Sequence, residues 1–331
     1  MTMKQPIFLH PIFQERIWGG TRLRDLYGYD IPSEQTGECW AISAHPNGQS
    51  TVMNGEYAGK TLGELWQHHR ELFGYYPGDV FPLLTKILDA NADLSVQVHP
   101  DDGYAGKFEN GELGKTECWY IIDCKEGAEI ILGHTAQTKE ELWDHCETGN
   151  WNQLLRRVPI KPGDFFYVPS GTIHALCEGT LVLETQQSSD TTYRVYDYER
   201  VDANGRKREL HLQKAMDVTT VPHQDPALHI IREEREGVHI TTFVEADYFS
   251  VYKWDVNGSA MFSRRHPFLL VSVIGGEGGL IIHKEEHAWK KGDHFLIPAT
   301  VDEFVVEGTA ELIVSHPSVK RRGVTHVLRC D

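Results

Sequence analysis

"KPGDFFYVPSGTIHAL", residues 161–176, and "KKGDHFLIPATVDEF", residues 290–304, are one pattern written twice. Each copy opens on a Lys-x-Gly-Asp turn, runs into an aromatic and apolar strand, and closes on a proline six residues after the glycine. Glycine before a strand permits the left-handed backbone of a tight turn. Proline after it removes a backbone donor and ends sheet pairing. The repeat predicts two strands in equivalent places of two similar structural units.

Most of the remaining chain also reads as strand. "ECWYIIDC", "AEIILG", "GTLVLETQQ", "YFSVYKWDV" and "AELIVSHP" are short, rich in β-branched and aromatic residues, and bounded by turn formers. No alternation of strand and helix supports a doubly wound fold. Helical signals are few. "TLGELWQHHRELFG" has capping-box spacing at Thr61 and Glu64 and a stop at Gly74, which makes His68 and His69 ordinary helix residues. "TKEELWDHCETGNWNQLLRRV" repeats the box at Thr138 and Glu141, breaks near Gly149, and reads as a helical insertion over 138–158. "LHLQKAMDV" follows an Asn204-Gly205 turn signal. The glycines of "FLLVSVIGGEGGLIIHK" are spaced unlike a phosphate loop and read as a hairpin turn.

The chain has 331 residues, 40% of them hydrophobic, enough for a large core. Its formal net charge of −16, with no Lys/Arg-rich block, argues against nucleic acid or an anionic membrane as partner. Any anionic substrate requires a local basic pocket. The amino terminus lacks a signal-peptide hydrophobic region and no run of about 18 apolar residues occurs, so a cytoplasmic location is expected. Cys39, Cys118, Cys124, Cys146, Cys177 and Cys330 form no C-x-x-C pair and read as free, buried thiols.

The first copy of the repeat continues Pro169-Ser-Gly171-Thr-Ile-His174, and its spacing resembles the second conserved motif of cupin jelly rolls, in which the histidine is a metal ligand. The second copy has Ala299, Thr300 and Val301 after its proline and no matching histidine. The expected fold is all-β dominated: two cupin-type jelly-roll β-sandwich units with a small helical insertion. Residues 1–235 would be the catalytic metal-binding unit and 236–331 a second unit without metal ligands. In "SVQVHPDD", Gln97 and His99 are two apart and project to one face of a strand. Glu117 opens an apolar strand, where an unpaired carboxylate is costly to bury. Each alone has an ordinary reading, a satisfied core histidine or a glutamine bonded to backbone. With His174 they make two imidazoles, a carboxylate and an amide oxygen. That set suits one borderline divalent ion per chain, zinc by preference and iron or manganese otherwise. Asp101 and Asp102 read as turn formers.

With "RIWGG", "GECWAISAHPNGQS", "GKTECWYII" and "ETQQSSDTTYRVYDY" added, the chain resembles the type I mannose-6-phosphate isomerases in their short bacterial form, over nearly its whole length. The resemblance implies zinc held by Gln97, His99, Glu117 and His174, with Arg194 in the active site. It also implies that Lys86, Ser95 and Lys115 line a sugar-phosphate pocket, the two lysines supplying charge for the phosphate. Glu184 and Asp190 match acidic pocket residues of the longer eukaryotic form. The implied reaction is an aldose–ketose interconversion through an enediolate, with the general base open among Glu184, Asp190 and Lys115. The implied partner is a small-molecule sugar phosphate, and the implied assembly a monomer or homodimer. Gly114 and Leu176 depart from the longer forms, which have histidine and tyrosine there, so schemes using either group do not transfer. An iron-dependent cupin oxygenase is opposed by the basic residues near the site, and a non-catalytic sugar-binding module by the intact ligand set.

Overall fold

The computed structural model describes residues 4–201 and 204–318. Cys330 lies outside the described residues; the other five cysteines are free thiols, four buried and Cys124 partly exposed.

The two copies of the repeat fold alike, hydrogen bond for hydrogen bond. Gly163 and Gly292 have φ of 90° and 91°. The Asp164 carboxylate accepts from Lys161 N at 2.9 Å, and that of Asp293 from Lys290 N at 2.8 Å. Gly163 N donates to Ile121 O, and Gly292 N to Val273 O. After each proline a turn closes, Thr172 N to Pro169 O and Val301 N to Pro298 O. This correspondence aligns His174 with Glu303, which is exposed, and Glu117 with Leu269, which is in the core. The second unit therefore has neither group at the two matching places.

The amino-terminal unit is a sandwich of antiparallel sheets. One sheet has six strands in the order Phe165–Val168, Glu117–Cys124, Thr180–Gln187, Leu83–Ala90, Thr36–Ile42 and Ile12–Gly20. The other has five, in the order Leu155–Pro159, Glu129–His134, His174–Leu176, Val96–Val98 and Tyr193–Tyr196. Period-two alternation divides the six-stranded sheet between two tasks. Trp119, Ile121 and Val182 face the five-stranded sheet, packing on Ile130 and Leu176. Cys118, Tyr120, Leu181 and Leu183 face away, into a core shared with Phe243, Phe249, Val251 and Ile313 of the second unit. Helices Lys139–Thr148, Trp151–Leu154 and Leu212–Val218 cover the outer face of the five-stranded sheet through Leu142, Leu154 and Ala215.

The second unit wraps its own core, centred on Trp254, Phe262, Val271 and Phe304. Its sheet takes in strands from the amino-terminal side of the expected 235/236 division. Ile231–Arg235 pairs with Val238–Glu245, and the distant strand Ile7–His10 pairs with His294–Ile297. Among the described residues no helix is long and apolar enough to cross a membrane.

Three local expectations are corrected. "GGEGG" is no hairpin: Leu269–Ile282 is one continuous strand, and the turn falls at His283 and Lys284, both with positive φ. The glycines permit close cross-strand approach instead. A Cβ on Gly276, at φ +77°, would lie 2.0 Å from Thr309 O, and one on Gly278 would lie 2.1 Å from Glu307 O. The 138–158 insertion stops being helical at Leu154, because Leu155–Pro159 finds an edge of the five-stranded sheet. Asp101 caps a helix, Asp102–Phe108, by accepting from Tyr104 N. As expected, Thr61 and Glu64 form a reciprocal capping box ahead of Leu62–His68.

Gly276→Ala should destabilise the protein by about 1–3 kcal/mol, through backbone strain and overpacking. Equilibrium denaturation measures this; wild-type stability would show that the strand accommodates a side chain.

Candidate metal centre and active site

Register assembles the site. His174 lies opposite Gln97, and Gln97 opposite Arg194, so the three residues form a row across the five-stranded sheet. On the six-stranded sheet the facing row is Trp119, Glu184, Lys86 and Trp40. Glu117, two residues before Trp119, shares that face.

Glu117 is wholly buried, and neither of its carboxylate oxygens has a hydrogen-bond partner of acceptable geometry. Three cationic or basic nitrogens crowd it. His99 Nε2 is 3.4 Å away, His174 Nε2 is 3.3 Å away and Lys115 Nζ is 2.8 Å away. Each imidazole is fixed from behind: His99 Nδ1 donates to Thr191 O and His174 Nδ1 to Thr172 O, both at 2.8 Å. This leaves both Nε2 atoms unprotonated beside the carboxylate, the tautomer that metal-binding histidines adopt, with that of His99 accepting from Lys115 Nζ at 3.1 Å. Burial, with Lys115 adding to it, lowers the pKa of His99 to about 3, and burial lowers that of His174. Burial pushes the Glu117 carboxyl up, but Lys115 and both histidines outweigh it and hold the group well below the usual range.

Ligand atoms of His99, Glu117 and His174 all lie within 4.8 Å of one another, the one such group among the described residues. The Gln97 amide is 3.3 Å from His174 Nε2, and a half-turn about its terminal bond brings the oxygen there. An orphaned buried carboxylate under two oriented neutral imidazoles fits a divalent cation. Gly171 makes this possible locally: at φ +84° it packs where a Cβ would lie 2.6 Å from Thr220 Oγ1, and its N–H donates to His99 O. Gly114 is equally constrained, since a Cβ there would meet the Asp101 and Asp102 backbone at 2.4 Å. The histidine of the longer forms has no room at this position.

Beside this group opens a cavity of about 330 Å³, with Lys86, Ser95, Gln97, Lys115, Glu184, Asp190 and Arg194 in its wall. All ten residues proposed from the sequence therefore stand at the metal group or the cavity. Their charges are unevenly matched. Lys86 lies 3.7 Å from Glu38 and 3.8 Å from Glu184, and 4.8 Å above the Trp40 ring. Lys115 is raised above the ordinary lysine range, because Glu117 and Glu184 overcome the effect of burial. Burial first, then the Glu117 charge, raises Glu184 to about 7, although Lys115, Lys86 and the Trp119 indole at 2.9 Å pull the other way. Asp190 sits exposed at the cavity edge, where Asn47 Nδ2 donates to it at 3.0 Å. Arg194 Nη1 donates to Glu209 O at 2.8 Å, and its buried Nε has no partner.

Residue-by-residue reasoning did not reach Arg16, Trp18, Glu38 and Arg208, which also line the cavity. The first three lie in "RIWGG" and "GECWAI", where the signal was a cluster of charged and aromatic residues in strand-like sequence. Arg16 donates to Glu38 at 2.9 and 3.2 Å, and the Trp40 indole donates to it at 2.6 Å. Burial would raise Glu38, yet Lys86 and Arg16 hold its pKa down to about 2.

A family model for the catalytic domain of phosphomannose isomerase type I matches residues 7–122. One for the cupin domain of mannose-6-phosphate isomerase matches residues 239–317. The chain is 61% identical to mannose-6-phosphate isomerase ManA of Bacillus subtilis, over 94% of this chain and 99% of that protein. It is 54% identical to mannose-6-phosphate isomerase of Streptococcus mutans, over 95% and 99%. A crystal structure of the mannose 6-phosphate isomerase from Bacillus subtilis, 62% identical, superposes with a TM-score of 0.93 over 95% of this chain and 100% of that one.

Elemental analysis of purified protein should find one divalent ion per chain, and His99→Ala combined with His174→Ala should abolish it. Retention of stoichiometric metal by the double variant would place the ion elsewhere.

Proposed function

The chain belongs to the type I phosphomannose isomerases, and from that premise we propose that it interconverts mannose 6-phosphate and fructose 6-phosphate. The observation that carries this reading is a buried carboxylate, Glu184, in the wall of a cation-lined cavity whose neighbour is the His-Glu-His group; burial and the Glu117 charge raise its pKa to about 7. Such a carboxylate can accept and return a proton at working pH.

In the open-chain aldose the proton on C2 is removed, an enediolate forms, and a proton is delivered to C1, while the hydroxyl proton on O2 moves to O1. Glu184 takes the C2 proton and returns it to C1. Lys115, whose charged form Glu117 and Glu184 favour, is assigned as a donor, its Nζ directed toward the oxygens that gain charge. A divalent ion, zinc by preference, held by Gln97, His99, Glu117 and His174, would supply a fixed positive charge stabilising those same oxygens. Arg194, a guanidinium without a carboxylate partner among the described residues, adds positive charge to the cavity wall for the anionic substrate. Ser95 and Asp190 offer a hydroxyl donor and a carboxylate acceptor to sugar hydroxyls, and Lys86 orients Glu184. A cytoplasmic location suits this reading, since a charged sugar phosphate formed there does not cross membranes unaided.

A coupled assay on mannose 6-phosphate tests the reading, and absence of turnover by metal-loaded protein contradicts it. Chelation should abolish activity and zinc restore it. Glu184→Gln should lower kcat by about 10²–10⁴-fold. Because the ionised form of Glu184 is the base, wild-type kcat/KM should fall as pH drops through its pKa, about 7 without the ion and lower once an ion offsets the Glu117 charge. An acid limb unchanged in the residual activity of Glu184→Gln would assign it to another group. Arg194→Ala should lower turnover strongly with metal content unchanged; near-normal turnover would remove Arg194 from the mechanism.

A further inference from the structure

We propose that Arg208 is a substrate-binding residue that, with Arg194, clamps the phosphoryl group of the sugar phosphate, and that Asp197 is the positioning residue that presets it. The proposal rests on the reaction proposed above for its choice of anion. Its physical basis is independent of that choice.

Among the cations lining the cavity, Arg16, Lys86 and Lys115 are each matched by a glutamate: Glu38, the pair Glu38 and Glu184, and Glu117. Arg194 and Arg208 line the same cavity, and their balance is different. Arg194 has no carboxylate within 4 Å among the described residues. Arg208 donates Nε and Nη2 to the two oxygens of Asp197 at 2.7 and 2.5 Å. Its Nη1 has no hydrogen-bond partner among the described residues. Asp197 must also serve Arg200, whose Nη2 donates to it at 2.5 Å. Two guanidinium groups thus share one carboxylate and Arg194 contacts none, while the Glu209 side chain points into solvent, 83% exposed. The nearby Arg208 charge, after burial, lowers the pKa of Arg194, so the two like charges are close enough to repel. In a chain of net charge −16, like charges drawn together at a cavity wall are best matched by a polyanionic ligand. A bidentate carboxylate locks one side of the Arg208 fork and leaves the other for an oxyanion, the geometry that suits phosphate.

The spacing fits a sugar phosphate spread along the sheet. His174, Gln97 and Arg194 occupy adjacent strands, so Arg194 stands about 10 Å from the His174 strand at the usual strand separation. That is the reach of an extended six-carbon chain with its reactive end beside the His-Glu-His group and its phosphate at the arginines. Segment 208–211 supports both arginines: it carries Arg208, its Glu209 carbonyl accepts from Arg194 Nη1, and His211 Nδ1 accepts from Arg194 N–H at 3.1 Å.

The test uses metal-loaded protein and two readouts: direct binding of inorganic phosphate by equilibrium dialysis, and steady-state kinetics on mannose 6-phosphate. Arg208→Gln should weaken phosphate binding and raise KM by about tenfold or more, with kcat within about threefold and metal content unchanged. Arg208→Lys, which keeps the charge and loses the fork, should fall between, and it serves as the test if Arg208→Gln does not fold. Arg156→Gln makes the same charge change at an exposed ion pair with Asp225 and should bind phosphate as wild type does. Wild-type phosphate affinity in Arg208→Gln, or no phosphate binding by the wild type, overturns the clamp. Phosphate binding that Arg208→Gln loses, in a protein that does not turn over mannose 6-phosphate, upholds the clamp and overturns the reaction.

Discussion

A carboxylate without access to water is the constraint around which the amino-terminal unit is arranged. Glu117 sits at zero exposure on a strand, between Val168 and Gln186 of its neighbours, and an unmatched charge there would cost several kcal/mol. The fold answers by bringing His99 and His174 to it from two other segments, with Lys115 just ahead of its own strand. Backbone carbonyls of Thr191 and Thr172 hold both rings. The loops that carry those carbonyls, the glycine at 171 and the cross-strand pairing of His174 with Gln97 all serve one geometry. The uniformly apolar outer face of the same sheet, packed on the second unit, keeps the strand that bears Glu117 in place.

The second consequence is a separation of roles among neighbouring carboxylates. Glu38 and Glu184 both approach Lys86, at 3.7 and 3.8 Å, and both are buried. Glu38 has the Arg16 fork and a short indole bond besides, and titrates near 2. Glu184 has the indole of Trp119 but faces the Glu117 charge, and titrates near 7. Pushing two titratable groups apart in this way assigns one to structure and the other to proton transfer. A divalent ion on Glu117 would temper the repulsion that Glu184 feels, which ties the metal site to the proposed base.

Much of this was legible in the sequence. The repeated turn-strand-proline unit gave the two jelly rolls, because a left-handed glycine and a terminal proline are local requirements that residue type reveals directly. Period-two spacing gave Gln97 and His99 a common face. Burial and register were hidden, since both are set by distant pairings. Glu38 reads as an ordinary strand residue until Arg16 and Lys86 are seen beside it. Arg208 reads as one of two surface arginines in "GRKREL". "GGEGG" misled because glycine marks both turns and close strand approach, and the partner that decides between them, Thr309 and Glu307, is some thirty residues away in the sequence. "LLRRV" misled in the opposite sense, its helical continuity being overridden by a free sheet edge.

The second unit keeps the turn and the strand order of the repeat but presents Leu269 and Glu303 where the first presents Glu117 and His174. It buttresses the back of the catalytic sheet through a common apolar core. The central claim, that Glu117 and its two imidazoles form a metal centre, is tested most directly by anomalous diffraction at a metal absorption edge from crystals of the purified protein. The account predicts a single peak enclosed by Gln97, His99, Glu117 and His174, with the Lys115 ammonium displaced from the carboxylate. A structure with no peak there and Lys115 still seated on Glu117 would contradict it.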